Sequence, residues 1–171
     1  SIQAGAQVLV QDGGALVFLA LPQSPTETND GAISIGDAVN ATGTTLSIDG
    51  DVTLAGAGSI TLNSGTSGAA QISGANGGGT LTNNGNTLYG AGYIGSDDNF
   101  LTFSNAAGAV IANVAGQTLT ITTHNLVTNS ASLQALSGGT LTIDDAVNNF
   151  GGLIGATTTD TTTPTVNLNG A

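Results

Sequence analysis

The chain of 171 residues carries no Lys or Arg against 11 Asp and Glu, a formal net charge of −11, so it lacks the cations with which proteins neutralise a phosphate backbone or an anionic membrane surface. Nucleic-acid binding is excluded on that ground, and the absence of cysteine removes any disulfide framework or thiolate metal site. An apolar content of 39% with positive mean hydropathy argues for a folded chain despite 27 glycines.

Residues 1–43 hold three candidate strands, at 6–10 (AQVLV), 15–21 (ALVFLAL) and 32–35 (AISI). A polar loop at 22–30 (PQSPTETND) separates the last two, and Pro22 and Pro25 keep it out of a ladder. The apolar run at 15–21 falls far short of the ~20 residues of a membrane helix. It reads as a buried strand, so no membrane insertion is expected. A start at Ser1 is what a processed or excised product would show. This segment reads as irregular first coils, or as an assembly segment, ahead of a regular region over 44–171.

From residue 44 onward one phrase recurs, as in GGTLTNNGN (78–86), GQTLTITTH (116–124) and GGTLTIDDA (138–146). Taken as strands with alternate residues inward, the phrases give pairs at Leu46/Ile48, Ile60/Leu62, Leu81/Asn83, Leu101/Phe103, Leu119/Ile121, Leu141/Ile143 and Val166/Leu168. Asn83 breaks the apolar rule. First members of successive pairs lie 14, 21, 20, 18, 22 and 25 apart, an average of 20. A period of this size marks a solenoid, whose repeats bury their apolar face only by stacking. Glycine and β-branched Thr, Val and Ile are poor helix formers, and no window offers a 3.6-residue stripe. Further strands at 52–56, 87–95, 109–114, 126–129, 132–136 and 152–156 allow three per coil, with Gly, Asn, Asp and Ser at the corners. The predicted fold is all-β, a right-handed parallel β-helix of about 20 residues per coil; about nine coils at ~4.8 Å would make a rod roughly 40 Å long. Two octapeptides, TLAGAGSI at 53–60 and TLYGAGYI at 87–94, share six letters and read as a duplication.

The phrases GGTLTIDDAVNN, GQTLTI and NNGNTLYGAGYIG resemble the repeats of large secreted bacterial surface proteins, the filamentous-haemagglutinin-like and autotransporter-like β-solenoids. The resemblance covers about residues 44–171. It implies an adhesin, stalk or fibre built from similar coils and transfers no catalytic or binding motif.

Candidate sites are sparse. His124 is the single histidine, and catalysis there would need a nucleophile and an oriented carboxylate to converge on it. β-Helical polysaccharide lyases resemble this architecture but use Arg or Lys, which are absent here. Acid pairs at Asp49/Asp51, Asp97/Asp98 and Asp144/Asp145 fall at expected corners, where they serve as turn formers or, with backbone carbonyls, as ligands for Ca²⁺; no other cofactor is expected. The calcium-binding nonapeptide pattern does not occur. Outward positions carry Thr45/Ser47, Ser59/Thr61, Thr80/Thr82, Phe100/Thr102, Thr118/Thr120, Thr140/Thr142 and Thr165/Asn167. In register these would form a ladder of hydroxyls and methyls, the kind of surface that ice-binding β-solenoids present. Threonine is also simply a favoured strand residue. Tyr89 and Tyr93, four apart, would share a strand face able to stack on a sugar ring.

The sequence therefore predicts a non-catalytic, extracellular or cell-surface rod, acting as a head-to-tail fibre subunit or an adhesin stalk. Its partners would be other copies of itself or further repeats of a larger protein. Ice or carbohydrate binding through the threonine ladder is the alternative.

Overall fold

In the computed structural model the described residues are 1–22, 25–37, 43–65 and 70–170. Residues 23 and 24 of the predicted polar loop, residues 38–42 before the predicted boundary, and Ala171 lie outside them. The strands are, in order, β1 (Gln7–Val10), β2 (Ala15–Leu19), β3 (Thr26–Thr28), β4 (Ala32–Ile35), β5 (Thr45–Ala55), β6 (Ser59–Asn63), β7 (Gln71–Asn84), β8 (Thr87–Ile94), β9 (Leu101–Asn105), β10 (Ala109–Ala112), β11 (Thr118–Ile121), β12 (Val127–Asn129), β13 (Ser132–Leu136), β14 (Thr140–Ile143), β15 (Val147–Asn148), β16 (Leu153–Thr157) and β17 (Thr165–Leu168). No helix occurs among the described residues.

All the strand-to-strand ladders are parallel, and they stack into three faces of a β-solenoid. Face 1 is built from β1, β4, β6, the first half of β8, β10, β13 and β16. Face 2 takes β2, the starts of β5 and β7, the end of β8, β11, β14 and β17. Face 3 takes β3, the ends of β5 and β7, β9, β12 and β15. The described residues before 44 run through the same faces as the rest, and the expectation that prolines keep 22–30 out of a ladder is corrected: Thr26–Thr28 pair with β5, and Pro25, at the edge of that strand, accepts from the Thr53 amide through its carbonyl. On face 2 one inward column passes through Leu16, Leu46, Ile72, Ile94, Ile121, Ile143 and Leu168. That is about six turns, about 25 residues apart, which stack to ~30 Å at the usual strand spacing.

The period of 20 is thereby corrected to 25, and the nine coils to about six. Every strand of a solenoid has the same inward–outward alternation, whichever face it occupies, so the recurring phrase does not tell one face from another. Leu46/Ile48, Leu119/Ile121, Leu141/Ile143 and Val166/Leu168 lie on face 2, Ile60/Leu62 on face 1, and Leu81 and Leu101/Phe103 on face 3. The step of 14 from Leu46 to Ile60 is thus a passage between faces, not a coil. Leu119, Leu141 and Val166 do stack directly on one another. Leu81 stands opposite Phe103, two residues beyond the predicted Leu101, which pairs with Gly79.

The interior is aliphatic. Leu46, Ile48, Ile60, Leu62, Leu81, Leu101, Phe103, Leu119, Ile121, Leu141 and Ile143 are all buried, whereas Val166 is half-buried and Leu168 exposed. Each fully buried aliphatic side chain contributes about 1.5–3 kcal/mol relative to exposure. The octapeptides read as a duplication occupy different corners: 53–60 passes from face 3 to face 1, and 87–94 from face 1 to face 2. What they share is a glycine corner. Gly90 takes φ 115° and Gly92 φ 147°, and a Cβ at Gly90 would lie 2.2 Å from Leu62 O, so only glycine fits there.

At the corner between faces 3 and 1 the core turns polar. Asn83 Nδ2 donates to Asn105 Oδ1 (3.0 Å), Asn105 Nδ2 to Asn129 Oδ1 (2.9 Å), and Asn129 Nδ2 to Asn149 Oδ1 (2.6 Å). Asn83, Asn105 and Asn129 are 0% exposed. Asn29 and Asn86 meet at the same corner across an intervening coil, at 2.7 Å. The amides also cap backbone carbonyls that the turning chain leaves free, Asn105 Nδ2 reaching Ser132 O and Asn83 Nδ2 reaching Asn86 O. Below Asn83 stands Leu54, which has no polar group to offer. Asn83 Oδ1 is accordingly buried without a partner among the described residues.

Candidate functional site

The predicted threonine ladder divides. On face 2, Thr118, Thr140 and Thr165 stack in register, and beside them Tyr93, Thr120, Thr142 and Asn167. Gln71 stands between Tyr93 of this group and Thr45 on the same face. Thr80 and Thr82 lie on face 3, where Thr80 stacks between Asp51 and Thr102, and Thr82 between Thr53 and Ser104. Ser59 and Thr61 belong to face 1. One flat array is therefore replaced by a compact patch on face 2 and a shorter column on face 3. Tyr89 and Tyr93 are likewise apart: the corner at Gly90 and Gly92 puts Tyr89 on face 1 and Tyr93 on face 2. The expected aromatic pair is not formed.

Of the three acidic pairs, Asp49/Asp51 lies along β5, while Asp97/Asp98 and Asp144/Asp145 are bound up in local hydrogen bonds. Asp145 is buried, and its carboxylate accepts from the backbone amides of Thr123 and His124 and from Thr123 Oγ1. Asp144 points outward and accepts from Asn169 Nδ2 at 2.8 Å. Asp98 accepts from Ser96 Oγ at 2.6 Å and from the Phe100 amide at 2.9 Å. Asp97 accepts from Thr122 Oγ1 at 3.2 Å and pairs with His124 Nε2. Among the described residues no three His, Asp or Glu side chains gather where they could hold a metal ion. Asp97/Asp98 and Asp144/Asp145 thus remain two separate corners.

His124 sits at φ 57° and is half exposed. The hydroxyls of its chain neighbours, Thr122 and Thr123, donate to Asp97 and Asp145. A nucleophile would need its proton directed at the imidazole, and these are directed at carboxylates.

A groove on face 3 was not legible in the residue types. Between Gly74 and Gly79 four residues, Ala75 to Gly78, stand where the coil below has Asp49 alone, and the register shifts there. The extra length forms a lip. Facing it is Phe100, whose amide donates to Asp98 and whose carbonyl accepts from Gly79 N at 2.8 Å. A Cβ at Gly74 would lie 1.9 Å from Phe100 O, so the glycine is what lets this backbone come close. The groove is an open depression of about 370 Å³, with Asp51, Thr80, Thr102 and Asn125 along it.

Comparison with known proteins gives no kinship. No family model, no curated protein and no solved structure matches this chain. The fold and the local chemistry are what bear on function.

Proposed function

We propose that the chain is a length of non-catalytic, extracellular rod, a fibre subunit or the stalk of a surface adhesin of the kind its repeats resemble, onto whose ends further coils stack. The observation that carries this reading is the state of the core at the two ends. Leu168 is 61% exposed although Ile143, its neighbour in the column, is 0% exposed. Val166 and Ile154 at that end, and Val8 and Leu16 at the other, are only partly covered, while the column members one coil inward are buried. An outer coil of a solenoid also leaves a row of ladder donors and acceptors unpaired. A coil from another copy, head to tail, or from the same longer protein answers both needs. The lack of Lys and Arg supports an extracellular setting, since trypsin-like proteases find no site.

Electron microscopy and sedimentation of the purified chain test the reading. End-to-end rods that lengthen with concentration are expected. A monomer at high concentration whose terminal strands β1 and β17 resist hydrogen exchange as well as β11 does would overturn it, because capped ends have no use for another coil.

A second reading rests on the patch of Thr118, Thr120, Thr140, Thr142 and Thr165 on face 2. Ordered hydroxyls and methyls at strand spacing support ice binding. Thermal hysteresis that is lost in Thr120→Tyr is its test.

A further inference from the structure

The groove on face 3 combines features that the rod itself does not need. Asp51, Thr80 and Thr102 occupy one outward column on three successive coils, so their polar atoms repeat at ~4.8 Å along the axis. None of the three side chains forms a hydrogen bond with another described residue. Asn125 lines the same groove beside this column. Its Nδ2 is held by Leu101 O at 2.9 Å and Asn99 O at 3.2 Å, which fixes the amide and leaves Oδ1 turned to other donors. Phe100, 37% exposed, supplies an apolar face held in place by its own backbone bonds. A carboxylate and two hydroxyls in a row, with an amide and an aromatic ring beside them, form a surface for a ligand with many hydroxyls on one edge and C–H bonds on its flat side.

We propose that this groove binds a neutral saccharide. The electropositive C–H bonds of a sugar ring rest on the negative face of Phe100, while its hydroxyls donate to Asp51 and Asn125 Oδ1 and exchange hydrogen bonds with Thr80 and Thr102. The volume of about 370 Å³ falls within the range of small-molecule sites, about 300–1,000 Å³, and the row of polar groups runs along the rod axis, so a short stretch of chain lies parallel to it. Charge sets the class. With no Lys or Arg anywhere in the protein, an acidic sugar would meet Asp51 without compensation. A peptide fits less well, because the groove offers no unpaired strand edge and no apolar socket besides the one ring.

Gly77 provides a clean obstruction. It lines the groove, its φ lies outside the left-handed region, and a Cβ there meets nothing within 4 Å, so Gly77→Leu fills the site without disturbing the coil. The probes are cellotetraose, mannotetraose, galactotetraose and chitotetraose, with tetragalacturonate as the charged counterpart, followed by saturation-transfer NMR and calorimetry on the full chain. At least one neutral probe should bind, and tetragalacturonate at least about tenfold more weakly; Gly77→Leu and Phe100→Ala should each lower affinity about tenfold or more. Gln134→Ala, on face 1, should leave it unchanged. The proposal falls if none of the four neutral probes binds, if the charged one binds as well, if Gly77→Leu leaves binding intact, or if Gln134→Ala abolishes it. Assembly at the rod ends is read separately by microscopy, so neither result stands in for the other.

Discussion

Replacing Asn105 by Ala cuts the asparagine ladder at its centre. Three hydrogen bonds go at once: the ones Nδ2 donates to Asn129 Oδ1 (2.9 Å) and Ser132 O (3.1 Å), and the one Oδ1 accepts from Asn83 (3.0 Å). Two of the stranded groups keep another partner, Asn83 Nδ2 on Asn86 O and Asn129 Oδ1 on the Ala131 amide. The loss is therefore near the net value of the bonds, about 1 kcal/mol each and about 3 kcal/mol in all, and not the full desolvation penalty of each group. For a chain of this length, a loss of that size lowers the thermal midpoint by about 6–12 °C. Circular dichroism followed through thermal and urea unfolding measures it, with exposed Asn148→Ala as the reference, expected within about 0.5 kcal/mol of the wild type. Asn105→Leu decides the cause. If the amide only filled space, leucine would restore the midpoint; on the hydrogen-bond argument it loses at least as much as alanine, and recovery to wild-type stability would refute the reasoning.

Leu119→Ala, on face 2 between Gly92 and Leu141 and 0% exposed, should cost about 2–5 kcal/mol. The same change at Leu168, 61% exposed, should cost under about 1 kcal/mol, a contrast that urea midpoints resolve. Gly74→Ala places a methyl 1.9 Å from Phe100 O and should lower the melting temperature sharply, whereas Gly77→Ala should leave it unchanged or slightly raised. Asp145→Ala strips the acceptor from the buried Thr123 amide and the partly buried His124 amide and should cost about 2–3 kcal/mol. At Asp160, hydrogen bonds from the Thr162 hydroxyl and then the Thr162 amide hold the carboxyl below its ordinary value. Being depressed in the folded chain, that titration favours folding above the unfolded value and loses its effect as pH falls through the folded one. Carbon-detected NMR should find Thr162→Val moving the Asp160 titration upward.

Much of the fold was legible because alternation is a local property: Leu119 and Ile121 point inward for the same reason as Leu141 and Ile143. Which face a strand occupies is not local. TLTI reads alike on any face, and the glycine corners at 55–58 and 90–92 look like copies although they turn between different faces. Asn83 is the instructive case. Read as a lapse in an apolar pair, it belongs to a pattern the sequence does carry: Leu81-Thr-Asn83, Phe103-Ser-Asn105, Val127-Thr-Asn129 and Val147-Asn-Asn149, each an apolar residue, a polar one and then asparagine. A polar side chain recurring at an inward position near the coil period signals a corner where amides stack. Phe100 was hidden for another reason. It reads as an interruption among threonines until the register shift at Ala75–Gly78 shows the groove it borders.

Because the ladders run coil to coil, their hydrogen bonds lie along the long axis. Pulling on one terminus of the polypeptide consequently loads a few of these bonds at a time, and coils should peel away in sequence at modest force. Each release frees about 25 residues, or about 85 Å of slack. A tether made this way absorbs a jolt by paying out line while the turns beneath stay wound.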